Sequence, residues 1–118
     1  MFRLLTRLTV SAVFTALMLA PVSAPAHPTT DIVASNWKFT PAVITVHVNE
    51  PTTLRLTSSE GVHGIASEGL RISKTTLLPD KFSIVHFTPK KVGSYEVKCA
   101  VICGAGHDKM VLTIKVVR

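Results

Sequence analysis

From residue 31 onward, apolar and polar residues alternate with period two, and this alternation commits the chain to β-structure. Ile44, Val46 and Val48 alternate with Thr45 and His47, and Leu54 and Leu56 with Thr53, Arg55 and Thr57. Val85 and Phe87 flank His86, Tyr95 and Val97 flank Glu96, and Leu112, Ile114 and Val116 alternate with Thr113 and Lys115. Successive strand side chains point to opposite faces, so each run has one apolar side and reads as a half-buried antiparallel strand. Thr40-Pro41, Asn49-Glu50-Pro51, Leu78-Pro79-Asp80 and the run from Pro89 to Gly93 punctuate the strands by fixing φ or removing a backbone donor. The expectation is an all-β, single-domain sandwich of two sheets.

The first 26 residues read differently. Arg3 and Arg7 precede the uncharged stretch Leu8–Ala20, and Ala24-Pro25-Ala26 offers a small-x-small cleavage site. That is the pattern of an export leader. The apolar stretch is shorter than the roughly 20 residues of a spanning helix, and an uncleaved anchor would have to run back through Arg7. Residues 1–26 are therefore expected to be a signal peptide and 27–118 the mature domain, which places the protein in the periplasm or otherwise outside the cytoplasm. Of the 13 Lys and Arg, Arg3 and Arg7 leave with the leader, so 11 face 7 Asp and Glu, a net +4. These cations are spread over turns and polar strand positions. Without a basic run and interleaved aromatics, a nucleic-acid partner is not supported; a mildly basic surface favours encounter with an acidic redox partner.

The chemistry is concentrated in the segment from Cys99 to Met110, CAVICGAGHDKM. It carries two thiols, an imidazole and a thioether at Cys99, Cys103, His107 and Met110, spaced four, four and three residues apart. Soft and borderline donors of this kind select copper over calcium or magnesium. Gly104 and Gly106 give the loop backbone freedom. His63, between Gly61 and Gly64 and just beyond the strand that ends near Thr57, is the best candidate for a second imidazole. Strand ends meet at the poles of a sandwich, so His63 and the Cys99 loop are expected to converge. The competing readings are a structural Cys99–Cys103 disulfide, as is usual for paired cysteines in exported domains, a mononuclear blue copper site, to which the extra Cys103 is foreign, and a zinc site of two thiolates and two imidazoles.

This ligand pattern, with the upstream histidine in Val62-His63-Gly64, resembles the CuA domain of cytochrome c oxidase subunit II, in particular the short subunits of bacterial haem–copper oxidases. The likeness runs from about Asn36 through Val117. It implies a cupredoxin-like Greek-key β-sandwich holding two copper ions. Cys99 and Cys103 would bridge both ions, His63 and His107 would each cap one, Met110 would be a weak axial ligand, and the carbonyl of Val101 would be the other. It further implies a carrier of single electrons, not catalytic alone, placed between a donor such as a c-type cytochrome and an oxidase or reductase acceptor. The protein would act as a soluble carrier or as an oxidase subunit whose membrane association comes through a partner or an uncleaved leader. Valine at 101, where many subunits II have glutamate, removes a carboxylate that helps bind a second metal, so no magnesium site is expected. Copper storage or delivery on the same fold is the alternative function.

Other residues invite blander readings. His47 and His86 lie on the polar phase of their strands and are expected to face solvent. Trp37, Phe39 and Tyr95 are expected to pack in the core. His27 would become the first mature residue, where its amine and imidazole together suit Cu(II), but Pro28 follows and no partner histidine is evident in the sequence.

Overall fold

The computed structural model describes residues 12–21, 27–102 and 104–118. The cleavage site expected at Ala24–Ala26 lies outside the described residues, as does Cys103. Among the described residues, no helix is long and apolar enough to cross a membrane.

The described residues form nine strands: β1 (Thr29–Ser35), β2 (Lys38–Thr40), β3 (Val43–His47), β4 (Thr52–Ser58), β5 (His63–Ser67), β6 (Ile72–Leu77), β7 (Ser83–Phe87), β8 (Gly93–Lys98) and β9 (Val111–Val117). One sheet has the order β2-β1-β4-β7 and the other β3-β9-β8, with the β5–β6 hairpin as a third piece. The chain crosses repeatedly between sheets instead of filling one strand after another, as a Greek-key sandwich requires. The alternation read from the sequence becomes the division between core and solvent. In β4, Leu54 and Leu56 are fully buried while Arg55 is exposed, and in β9 Leu112, Ile114 and Val116 face inward while Lys115 faces out. Phe39, Ile32 and Val97 fill the space between the sheets, and Ile65, Ile72 and Leu77 of the hairpin join the same cluster.

Two features depart from the sequence expectation. The β1–β4 and β3–β9 ladders are parallel, whereas antiparallel strands were expected. A strand with one solvated face shows the same alternation in either direction, so periodicity cannot distinguish them; the cause is the chain's passage through β2 and β3 before β4 returns beside β1. The β5–β6 hairpin was also not anticipated. A bulge between Ile65 and Ser67 breaks its alternation, and β5 carries a single branched apolar side chain, Ile65.

Strand directions define two poles. At one lie the ends of β1, β4 and β8 and the starts of β5 and β9. At the other lie the starts of β1 and β4 and the end of β7. On the outer face between them, Arg55 Nε and Nη2 each donate to an Asp31 carboxylate oxygen at 2.7 Å. This hydrogen bonding holds the Asp31 carboxyl below its ordinary value. Both partners are exposed, so solvent screens the pair and its contribution is small. What it contributes is present above the ordinary aspartate range and lost as pH falls through the lowered value.

Ile114 is fully buried at the centre of β9, so Ile114→Ala is expected to cost about 2–5 kcal/mol in chemical denaturation. Lys115→Ala, one residue away on the solvent face, is expected to stay within about 0.5 kcal/mol of the parent.

Candidate metal centre

The loop between Cys99 and Met110 is anchored at its mouth by the β8–β9 ladder. Lys98 pairs with Val111 as the last rung, and the Cys99 amide then donates to the Met110 carbonyl at 3.2 Å. The loop is also tied sideways to β5. Ile65 bridges Cys99, and the Ala100 amide donates to the Gly64 carbonyl at 3.0 Å. Gly64 has to be small for this approach, because a Cβ there would lie 2.7 Å from Val101 Cγ2 and 3.0 Å from the Thr75 carbonyl.

These attachments bring His63 and Cys99 together in the interior. His63 is fully buried and Cys99 nearly so. His63 Nδ1 lies 4.0 Å from Cys99 Sγ, while Nε2 lies 2.7 Å from the Glu60 carbonyl oxygen. A carbonyl only accepts, so Nε2 carries the proton and donates. Nδ1 is then the ring nitrogen that faces the sulfur. A ligating histidine is usually oriented in this way, with its other nitrogen donating to a backbone carbonyl. Cys99 Sγ also lies 3.1 Å from the Val101 carbonyl oxygen. An imidazole, a thiol and a backbone carbonyl thus share one pocket.

The Glu60 carbonyl is held in turn by a residue the sequence reading did not single out. The Ser58 hydroxyl, with its one proton, lies 2.6 Å from the Gly61 carbonyl oxygen and 3.0 Å from that of Glu60, which share it, and the Glu60 amide donates to Ser58 Oγ at 3.2 Å. Gly61 has φ +73°, which suits glycine. A serine two residues before a Glu-Gly turn was the available signal.

Further along the loop, His107 opens a 3-10 turn, His107–Lys109, and is half-buried. Its amide donates to the Gly104 carbonyl at 3.2 Å, and the Met110 amide donates to the His107 carbonyl at 3.2 Å. Met110 is fully buried. The loop is covered by Trp37, which is 38% exposed and therefore a surface residue, where a core position was expected. A Cβ on Gly104 would come within 2.8 Å of Trp37 Cζ3, and one on Gly106 would run into the ring at Cγ. The indole packs directly against the backbone at Gly104 and Gly106. Phe39 is buried and Tyr95 packs against the core, both as expected.

The donors present fit copper: a thiol, an imidazole and a carbonyl close together, and a buried thioether on the residue whose carbonyl binds the Cys99 amide. They belong to a recognisable class. The cupredoxin-like domain family matches residues 8–113, and the chain belongs to that family. Its particular resemblance is to cytochrome c oxidase subunit 2. It is 33% identical over 92 residues to that protein of Thermus thermophilus, across 78% of this chain and 67% of the relative. A second Thermus thermophilus cytochrome c oxidase subunit 2 is also 33% identical over 92 residues, and there the match spans 54% of the relative's length. Among solved structures, the periplasmic domain of cytochrome oxidase subunit II of Bradyrhizobium japonicum shares the fold. Its TM-score is 0.71 at 19% identity, covering 82% of this chain and 88% of that one.

Trp37 is the single tryptophan, so its fluorescence reports the loop directly. Gly106→Ala is expected to displace the indole, shifting its emission to the red and exposing it to soluble quenchers. Gly93→Ala, whose new methyl would meet only ordinary contacts at 3.7 Å or beyond, is expected to leave the spectrum unchanged. Equal spectra for the two variants would refute the packing described.

Proposed function

We propose that this is an exported electron-transfer protein whose centre holds two copper ions on Cys99, Cys103, His63, His107, Met110 and the carbonyl of Val101. The observation that carries the reading is the pairing of a buried, pre-oriented His63 with Cys99. Nδ1 of this imidazole faces the thiol sulfur while Nε2 is engaged by the Glu60 carbonyl, the orientation that a ligating histidine usually has. The resemblance to cytochrome c oxidase subunit 2 gives the redox context. Cleavage after Ala26 would release residues 27–118 as the mature domain.

Copper bound at these residues would supply a one-electron couple. The chain's own contribution is to keep the donors still. Two backbone attachments, to β9 through Met110 and to β5 through Gly64, fix Cys99; the Ser58 turn fixes His63; burial excludes water from Cys99, His63 and Met110. A site held from several sides changes little on gaining or losing an electron, which suits a relay. Apolar side chains are exposed on the segments that carry the donors: Ile102 in the loop is 89% exposed, and Val62, next to His63 in sequence, and Trp37, against Gly104 and Gly106, are exposed as well. A redox partner, with a c-type cytochrome as donor and an oxidase or reductase as acceptor, would dock there over a short path to the loop.

The test is metal stoichiometry with electron paramagnetic resonance on the exported, copper-loaded protein. Two coppers at the loop and a seven-line hyperfine pattern are expected from an electron shared by both ions. Ser58→Ala is expected to lower copper affinity by about tenfold to a hundredfold through the freed His63 ring. One copper with a four-line pattern at the cysteines would refute the shared centre, and rapid complete transfer of copper to an acceptor protein would make delivery the function.

A further inference from the structure

The pole opposite Cys99 contains a second pair of imidazoles. A cleft of about 550 Å³ is lined by His27, Thr53, Arg71, His86 and Lys90, among others. We propose that, in the mature chain, the α-amine and Nδ1 of His27 together with Nε2 of His86 bind one Cu(II) ion in this cleft. The inference rests on the cleavage after Ala26 proposed above, which makes His27 the first residue.

Thr53 sets the juxtaposition. Its amide donates to the Pro28 carbonyl at 3.1 Å, which fixes the chain immediately after His27. Its hydroxyl oxygen lies 2.9 Å from His86 Nδ1. Thr29, Thr53 and His86 form one row across β1, β4 and β7. His86 lies on the outer face, exposed between the buried Val85 and Phe87. With neighbouring strands about 4.8 Å apart, β1 and β7 are separated by roughly 10 Å across β4. His27 precedes this row by two residues and lines the same cleft as His86, so the two imidazoles face one space. When His86 Nδ1–H donates to Thr53, Nε2 presents its lone pair, and the threonine acts as the supporting partner that a ligating histidine usually has.

The chain start limits the remaining donors. A terminal histidine offers its amine and Nδ1 as one chelate. Pro28 has no amide proton to lose, so the metal cannot recruit the next backbone nitrogen, and a third nitrogen has to come from across the sheet. Three neutral nitrogens favour Cu(II) among the divalent first-row metals. No Asp or Glu lines the cleft, which disfavours the hard cations that need carboxylates. Arg71 and Lys90 would favour an anion at the open coordination position.

The full chain, exported through its own leader, is to be weighed intact and titrated with Cu(II) alone. The expected product begins at His27 and takes up one copper beyond those at the cysteine loop, with a four-line spectrum carrying nitrogen couplings. That signal is separate from the pattern of the thiolate-bridged centre, so either site can fail without the other. The unprocessed chain, with residues 1–26 attached, is expected to bind this copper at least about a hundredfold more weakly, as is His86→Asn; Thr53→Val is expected to lose about tenfold. His47→Asn, an exposed histidine elsewhere, is expected to change nothing. An exported product with another first residue would overturn the proposal. So would equal affinity in the unprocessed chain or in His86→Asn, or loss of the signal in His47→Asn.

Discussion

The β8–β9 ladder is the constraint on which the rest of the structure depends. β9 pairs with β8 on one side and β3 on the other, and it places Leu112, Ile114 and Val116 in the core. Its first residue follows directly on the donor loop. Tightening the ladder by one more bond, from the Cys99 amide to the Met110 carbonyl, closes the loop at its base. The ends of the loop are therefore as stable as the sandwich, whereas its described middle contains a short 3-10 turn and two glycines, Gly104 and Gly106. Stiff ends with a permissive middle suit a metal loop. The fold sets where the donors stand, and the backbone between them can adjust to an ion.

Burial gives the two candidate copper sites different characters. His63 and Cys99 are shut in the interior, where an unsatisfied polar atom is costly. Each polar atom in their surroundings accordingly has a named partner, through the Glu60 carbonyl and the Ser58 hydroxyl. His86 stands in solvent on the face of the larger sheet, where water satisfies whatever the protein does not. A buried site selects by shape and rigidity. An exposed one selects by donor count, and so depends on how many nitrogens the fold brings within reach.

What could be read from the sequence follows the same division. Alternation revealed the core strands because burial and period coincide in residues such as Leu54, Leu56 and Ile114. The ligand spacing was legible because Cys99, His107 and Met110 are neighbours along the chain. Strand direction was not legible, since solvated faces look alike in parallel and antiparallel ladders. Nor was the place of Trp37: a lone tryptophan before a buried phenylalanine reads as core until Gly104 and Gly106, almost 70 positions further on, prove to be the surface on which it lies. Ser58 acts through backbone carbonyls, so its only trace in the sequence is a serine two residues before a Glu-Gly turn, a pattern that does not point to His63. His27, just before β1, and His86 on β7 are far apart in sequence and are related by the register through Thr53.

Copper at either pole would also bear on stability. A sandwich of this size buries a limited core, and a ligand that binds only the folded state stabilises it by an amount that grows with the logarithm of its concentration over its dissociation constant. Copper at the cysteine loop would cross-link β5 to the segment between β8 and β9, elements already joined through Gly64 and Ile65. Along the chain that cross-link spans the 36 positions from His63 to Cys99, and copper between His27 and His86 would span 59. Closure entropy grows only with the logarithm of loop length, so the two lengths differ by about 0.4 kcal/mol. Loop length therefore does not separate the sites, and the stability each would add follows from its affinity for the ion.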